Sequence, residues 1–144
     1  MRHRLSRRRL GLKPAHERMF KRNLLTSLLL YEAVRTTKNR AQAVAPMVDH
    51  IIAMAKRTAP YNAIRAINRV VTDKNASRKI MEVYIRRFAA VPSGFTRMTP
   101  VGSRQGDNAK LVDLSLVEGI AVEEAPAKTK EKKAAKKSSP AIKA

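Results

Sequence analysis

The first residues of the chain have side chains suited to binding phosphate. Met1–Lys13 contains six basic residues and no acidic residue, and five of the six are arginines. A guanidinium group presents a planar fork of donors that fits phosphate oxygens and guanine edges, and it also stacks on bases. We therefore expect an arm that binds a polyanion and becomes ordered on binding. The alternative is a solvated charge run that makes no specific contact.

The charge of the whole chain indicates the same kind of partner. The 144 residues carry 31 Lys and Arg against 11 Asp and Glu, a net charge of +20. This far exceeds what solubility requires, so a permanent polyanionic partner is expected, with nucleic acid ahead of an anionic membrane. The sequence lacks cysteine, which excludes disulfides and thiolate metal sites and fits a reducing cytoplasm.

Targeting and membrane segments are not evident in the sequence. No apolar run approaches the ~20 residues of a membrane span, and the N-terminus lacks the apolar stretch of a secretory signal. Its arginine-rich, acid-poor composition is shared with mitochondrial transit peptides. The absence of an amphipathic apolar face argues against that alternative.

Residues that could perform catalysis are scattered. The three histidines, His3, His16 and His50, are not related by a metal-ligand spacing. The acidic residues stand singly, so no carboxylate pair is available for acid–base chemistry. No glycine-rich loop joins a strand to a helix, as a nucleotide site would require. We predict a protein that is not an enzyme and has no metal, cofactor or small-molecule substrate.

Charge composition divides the chain into three regions. After the basic arm, Pro14–Gly119 carries 18 basic and 8 acidic residues among apolar residues at regular spacing, and it is predicted to form a single domain. Ile120–Ala144 carries seven lysines, three glutamates and no arginine, among Ala, Pro, Ser and Thr. This composition predicts a disordered, solvated tail without specific contacts.

Apolar residues recur at helical spacing through most of the domain. Pro14 suits the first turn of a helix, and Phe20, Leu24, Leu28 and Tyr31 predict an apolar stripe that ends near Tyr31. Three more helices are predicted, over residues 39–57, 61–71 and 75–88. The first of these contains Pro46, which should kink it or remove a hydrogen bond. The core-facing residues of the later helices are predicted to be Ala41, Val44, Val48, Ile51, Ile52, Ala55, Ile64, Ile67, Val71, Ile80, Val83, Tyr84 and Phe88.

Short β-prone segments flank these helices. Residues 34–37, 95–99 and 110–117 are predicted strands, and residues 100–108 a loop. Val112, Leu114 and Leu116 should face the core, with Asp113 and Ser115 on the other side. Either Asp73 or Asn75 could cap the last helix. The fold class is therefore α+β, with a small sheet packed against helices in two layers.

Several ordered motifs resemble one known family. The sequence is similar to protein seventeen of the bacterial large ribosomal subunit over roughly residues 1–117. The tail from Ile120 is a departure from the family pattern, because family members often end soon after the last strand. The motifs are Met1–His16, Asn23–Leu30, Val34–Lys38, Ala45–Val48, Gly94–Arg97 and Gly102–Asp107.

The resemblance implies a structural component of a ribonucleoprotein. It implies the order α–β–α–α–α–β–β, a helix that continues through Pro46, and binding to large-subunit rRNA near the outer mouth of the peptide exit tunnel. The expected partners are this rRNA and neighbouring ribosomal proteins, with the protein as a cytoplasmic monomer within the ribosome. Asp107 is expected to shape its loop, since a carboxylate would repel phosphate. The candidate RNA-binding residues are Arg2, His3, Arg4, Arg7, Arg8, Arg9, Lys13, Arg18, Arg22, Arg35, Thr36, Thr37, Lys38, Arg97, Arg104 and Gln105.

Two other functions are compatible with the charge. An architectural DNA-binding protein would need a helix-turn-helix spacing or a β-ribbon arm with a proline wedge, and neither is evident. A membrane-surface protein would need a basic helix face opposite a Leu/Trp face. Most of the six aromatic residues are predicted to lie in the core, which argues against a sheet of base-stacking platforms.

Overall fold

Helices and strands follow one another in the predicted order. The computed structural model describes residue 8 and residues 10–117, and this part of the chain has the α+β architecture that the sequence predicts. Its fourth helix, α4, joins α-helical Lys74–Lys79, a π-helical turn at Ile80–Tyr84 and α-helical Ile85–Arg87. The other elements are α1 (Pro14–Tyr31), β1 (Ala33–Thr37), α2 (Lys38–Arg57), α3 (Pro60–Asn68), β2 (Thr96–Ser103) and β3 (Lys110–Leu116).

Helix α1 ends in a tight corner at Glu32. The backbone of Glu32 is left-handed, with φ at 64°, and its N–H donates to the Leu28 carbonyl oxygen at 2.8 Å. This conformation is unfavourable for a residue with a Cβ, so it requires support from its surroundings. The Glu32 carbonyl accepts a hydrogen bond from the Leu116 N–H at 2.9 Å. Its carboxylate lies 2.7 Å from Lys79 Nζ and 2.6 Å from Arg87 Nη1. We call these three side chains the Glu32 corner.

Helix α2 runs without interruption through Pro46, as predicted. The proline is exposed, so the hydrogen bond that its missing N–H removes lies on the outer side of the helix. The opposite side forms the largest part of the core. All six core residues predicted for this helix are buried: Ala41, Val44, Val48, Ile51, Ile52 and Ala55.

Helix α3 is shorter than predicted. It ends at Asn68, before the predicted end at Val71. The Val70 and Val71 N–H groups both donate to the Ile67 carbonyl oxygen, at 2.9 and 2.8 Å, and close the last turn. Val71 is still buried beyond the helix end. The prediction that Ile64 faces the core was wrong. Its side chain is 43% exposed, and Ala63 faces the core in its place, whereas Ile67 is buried as predicted.

Helix α4 begins with a capped turn and changes its winding halfway. The Asp73 carboxylate accepts a hydrogen bond from the Asn75 N–H at 2.7 Å, which settles the cap in favour of Asp73. The π-helical turn adds a residue to one turn and so shifts the faces of the residues within it. Ile80 and Tyr84 remain fully buried, whereas Val83 is 43% exposed, contrary to the prediction.

Strand β3 lies in the middle of the sheet. The strand order is β1-β3-β2, and both pairings are antiparallel. Val112, Leu114 and Leu116 are buried beneath the helices, which confirms the predicted alternation along this strand. Asp113 and Ser115 therefore lie on the opposite, helix-free face within the described residues.

Strand β2 is longer than predicted. It extends through Pro100 to Ser103, so the predicted loop over residues 100–108 was partly wrong. β2 is an edge strand, where a residue without an N–H is tolerated. A bulge between Pro100 and Gly102 shifts the register against β3. The connection to β3 is thereby reduced to residues 104–109.

The core joins both layers through large side chains. The Phe88 and Phe95 rings lie 5.1 Å apart, and the Tyr84 hydroxyl donates to the Leu29 carbonyl oxygen at 2.6 Å. Tyr31 does not join this core, contrary to the predicted stripe. It is 75% exposed at the last residue of α1, where the chain turns towards β1. Among the described helices, none combines the length and the hydropathy that a membrane span requires.

Candidate nucleic-acid interface

Two connections meet at one end of the sheet. β1 ends at Thr37, which pairs with Leu111, and β2 ends at Ser103, which pairs with Lys110. The β1–α2 junction and the β2–β3 hairpin therefore enclose a common surface depression of about 390 Å³. We call its four cations the hairpin cluster: Lys38, Arg40, Arg104 and Lys110.

One carboxylate belongs to this depression, and it is already paired. Arg104 Nε donates to Asp107 Oδ1 at 3.0 Å, and Arg104 Nη2 donates to the other carboxylate oxygen. The guanidinium group of Arg104 lowers the pKa of Asp107 to about 2, with a smaller contribution from the Ala109 N–H. Asp107 thus shapes the hairpin, and about half of the Arg104 side chain stays exposed. The other three cations add positive charge to the depression.

The first turn of α2 borders the same depression. Its N-cap residue, Thr37, makes no side-chain capping hydrogen bond. The first N–H groups of any helix have no partner within the helix and carry partial positive charge. Backbone donors at Lys38 and Asn39 therefore add to the positive potential that the cluster creates.

A second basic surface lies on the helix-free face of the sheet. Arg35 and Asp113 are direct partners across β1 and β3, with Nε–Oδ1 at 2.8 Å and Nη2–Oδ2 at 3.0 Å. Hydrogen bonding within this pair raises the pKa of Arg35 and lowers that of Asp113. Arg97 and Thr99 follow on β2, opposite Ser115 and Asp113. This face consequently presents one paired arginine, one further arginine and several hydroxyl groups.

The start of α1 provides a third basic surface with mixed roles. Arg8, Lys13 and Arg18 are exposed, and Arg18 Nε donates to the Pro14 carbonyl oxygen at 3.3 Å. Arg22 is partly buried, and its Nε donates to the Val70 carbonyl oxygen at 3.1 Å. Arg22 therefore links α1 to the end of α3, in addition to any contact with a ligand.

The fold brings some of the predicted residues together and separates others. Thr37, Lys38 and Arg104 converge at the depression, with Gln105 exposed in the same hairpin. Thr36 lies partly buried on the helix-packed side of β1, opposite Val112. Part of the predicted arm lies outside the described residues: Arg2, His3, Arg4, Arg7 and Arg9.

Sequence reasoning missed two members of the hairpin cluster. Arg40 lies in the first turn of α2 and extends over the Phe20 ring, with its guanidinium carbon 4.8 Å from the ring centroid. Lys110 is the first residue of β3. Both residues are basic and lie at the start of a helix or strand, which the sequence could have indicated. Only the strand pairing shows that the start of α2 and the start of β3 lie next to Arg104.

Intramolecular contacts engage the carboxylates of the described chain. Because these acids are few and committed within the fold, the cations that remain can neutralise an external polyanion. The pKa of Asp49 is raised by burial, although its carboxylate accepts a hydrogen bond from the Phe95 N–H. The engaged acids are Glu17, Glu32, Asp49, Asp73, Glu82, Asp107 and Asp113.

Known proteins resemble this chain over most of its length. The family model for ribosomal protein L17 matches residues 20–117. Large ribosomal subunit protein bL17 of Syntrophotalea carbinolica is 39% identical over 118 residues, which are 82% of this chain and 76% of that protein. The protein of the same name from Desulforudis audaxviator is 37% identical, over 76% of this chain and 97% of the relative. The protein of the same name from Chloroflexus aggregans is 32% identical, over 81% of this chain and 100% of the relative.

Proposed function

Because this chain belongs to the ribosomal protein L17 family, we propose that it binds large-subunit rRNA through its basic surfaces. The family has a structural, non-enzymatic role in the ribosome, and its curated members are named as proteins of the large subunit. The chain is accordingly a structural constituent of the large subunit in the bacterial cytoplasm. Its specific contribution is to hold rRNA segments in place.

The hairpin cluster is the observation that carries the RNA-binding proposal. Four cations line one depression beside a helix N-terminus, and the single carboxylate there is neutralised by Arg104. A phosphate is the ligand that such a set of donors favours. RNA phosphates recur at regular intervals, so the α1 surface and the helix-free sheet face can bind further phosphates of the same RNA.

The hairpin cluster, the sheet face and the arm contribute to this binding in different ways. Lys38, Arg40 and Lys110 neutralise phosphate, and Arg104 presents a guanidinium group whose orientation Asp107 fixes. Arg35 and Arg97 act from the sheet face. The arm adds the densest run of arginines, which can neutralise phosphates and stack on unpaired bases.

The position of the protein within the subunit is a further part of the proposal. The family resemblance supports a site on the solvent side, near the outer mouth of the peptide exit tunnel. Cross-linking from a cysteine introduced at Gln105, which is exposed at the hairpin, tests this position in assembled subunits. Cross-links to rRNA near the tunnel mouth are expected, and cross-links confined to the subunit interface would contradict it.

Deletion of residues 2–13 tests the role of the arm. In cells that express only the shortened protein, its incorporation into large subunits should fall strongly, while the folded domain keeps its stability. The domain stability is measured on the purified protein by thermal unfolding. If the shortened protein enters large subunits as well as the intact protein does, the arm is not an rRNA-binding element.

Salt dependence of rRNA binding tests the mechanism. With ~6–10 phosphate contacts, the affinity should fall about 10³–10⁵-fold between 50 and 200 mM salt.

Sedimentation of cell extract distinguishes RNA from the alternative of an architectural DNA-binding protein. The protein should migrate with large subunits, and co-migration with chromosomal DNA would favour the alternative.

A further inference from the structure

Helix α3 presents an aromatic and a basic side chain to solvent as a stacked pair. The guanidinium carbon of Arg65 lies 4.5 Å from the centroid of the Tyr61 ring, a cation–π geometry. Tyr61 is 67% exposed, and Arg65 is exposed as well. Ile64 lies beside them at helical spacing and is 43% exposed. These three residues form one continuous outward surface, which we call the α3 platform.

The α3 platform is not needed to hold the helix in place. α3 packs on the core through Ala63 and Ile67, both of which are fully buried on the other side of the helix. An exposed tyrosine beside an exposed isoleucine costs solvation free energy without contributing to the core. Such a group indicates a contact surface for a partner.

The charge around the platform specifies the kind of partner. α3 contains no acidic residue, and Arg57 at the end of α2 and Arg69 directly after α3 are both exposed. An anionic ligand is therefore favoured electrostatically over a basic or neutral protein surface. An aromatic ring stacked on a guanidinium plane offers flat π surfaces, which nucleobases have and phosphate groups alone cannot use.

We propose that the α3 platform binds an unpaired base of the rRNA, and that this base extends the stack of the Tyr61 ring and the Arg65 guanidinium group. This inference rests on the proposed rRNA-binding function and adds a base contact to it. Tyr61 holds the guanidinium group flat, Arg65 neutralises the adjoining phosphate, and Ile64 contacts the sugar or the base edge. An unpaired base is required because bases within an RNA duplex are stacked on their neighbours.

Equilibrium binding of the full chain to bacterial large-subunit rRNA transcribed in vitro tests the proposal. Tyr61→Ala and Arg65→Lys should each weaken binding between about 5- and 150-fold, the range expected when one base loses its stacking partner. Arg65→Lys retains the charge but removes the plane, so the slope of log affinity against log salt should stay unchanged. A charge-only contact would leave the Arg65→Lys protein at full affinity.

Matched variants separate stacking from general surface effects. Tyr61→Phe keeps the ring and should bind like the unaltered chain. Tyr31→Ala removes the other strongly exposed tyrosine, which is 75% exposed, and should also bind normally. Thermal unfolding of each variant verifies that the fold is intact, since neither ring is part of the core.

A direct signal for stacking comes from introduced tryptophan. The chain contains no tryptophan, so Tyr61→Trp and Tyr31→Trp each introduce a single tryptophan, which can be excited selectively over tyrosine. Addition of the rRNA should quench Trp at position 61 strongly and Trp at position 31 weakly. Equal quenching at the two positions would contradict a specific stacking site on α3.

The outcomes distinguish failure of the platform from failure of the proposed function. If the unaltered chain does not bind the rRNA, the proposed function and the platform both fall. If the unaltered chain binds the rRNA and Tyr61→Ala and Arg65→Lys bind it as tightly as the unaltered chain does, only the proposal for the α3 platform is wrong. If these variants bind free rRNA normally but enter large subunits poorly, α3 contacts a protein, and the base-stacking proposal is overturned.

Discussion

The Glu32 corner and the hairpin cluster combine the same types of charged group for opposite purposes. At the corner, the Glu32 carboxylate pairs with two partly buried cations, Lys79 and Arg87, at the backbone turn between α1 and β1. In the cluster, four cations surround one carboxylate that is paired with a single arginine. Partly buried charges that pair with one another stabilise the fold, whereas exposed excess charge is available to a ligand.

The pKa directions agree with this distinction. Hydrogen bonds from Lys79 and Arg87 lower the pKa of Glu32 against the opposing effect of burial. The Asp107 side chain is about half exposed, and its low pKa comes mainly from the Arg104 guanidinium group. Removing charge should therefore affect unfolding at the corner and RNA binding at the cluster.

Neutralising the hairpin cluster should have the largest effect. Replacing Lys38, Arg40 and Lys110 with glutamine should weaken rRNA binding roughly 100–500-fold at about 0.1 M salt, because each lost phosphate contact removes about 0.7–0.9 from the salt slope. The free energy of unfolding should fall by no more than about 0.5–1 kcal/mol, from loss of the contact between Arg40 and the Phe20 ring. Filter binding over a salt series and thermal unfolding measure the two quantities.

A charge-matched control uses the tail. Replacing Lys132, Lys136 and Lys137 with glutamine removes the same charge from a segment predicted to make no specific contact. Its effect on rRNA binding should be much smaller. Equal losses in the two triple variants would show that net charge, and not the arrangement of the cluster, determines the affinity.

Removing the carboxylate of the Glu32 corner should mainly affect stability. Glu32→Gln should lower the free energy of unfolding by about 1–2 kcal/mol, since two charge-assisted hydrogen bonds are weakened in a site that water still partly screens. Chemical denaturation measures the change. The salt slope of rRNA binding should not move.

Glu82→Gln is the matched control for the corner. Glu82 lies 4.0 Å from Arg78, and both side chains are mostly exposed. Its substitution should change the free energy of unfolding by no more than about 0.5 kcal/mol. Equal destabilisation by the two variants would refute the special role of the corner.

Asp113→Asn should change rRNA binding less than the hairpin-cluster variant does, and it should make the salt slope steeper where that variant makes it shallower. The substitution releases Arg35 from its ion pair, so the salt slope for rRNA should steepen by about one phosphate contact. Discrimination between rRNA and unrelated RNA should decrease, because Arg35 loses its fixed orientation. Competition binding with both RNAs measures this, and an unchanged slope would mean that Arg35 does not face RNA.

The Asp107–Arg104 pair should give the smallest of these effects. Its contribution to stability should not change near neutral pH and should be lost only in acid. The pKa of Asp107 in the folded hairpin, about 2, lies below the ordinary value, so folding favours the ionised form. The stabilising contribution is complete above the ordinary pKa and is lost as the pH falls through about 2. NMR titration of the carboxyl carbon should give a lower midpoint than that of Asp49, whose pKa is raised. A midpoint at the ordinary value would show that the Arg104 pair does not form in solution.

Sequence patterns predicted the elements well where the pattern was strong and local. The stripe from Ala41 to Ala55 correctly defined α2, and the alternation around Leu114 correctly defined β3. Predictions failed where a long-range contact or an unusual turn intervened. Val83 turns outward at a π-helical turn, and β2 continues past Pro100 because it lies at the sheet edge.

The sequence by itself determined the charge, the order of elements and the family resemblance of this protein. Tertiary structure decided which cations act together: Lys38 and Arg104 are far apart in sequence and meet beside Lys110 because β1 and β2 both pair antiparallel with β3. It also turned Tyr61 outward beside Arg65. The physical reason is that apolar periodicity records only which side of an element is buried. Where the exposed sides converge depends on strand pairing and helix packing between distant segments.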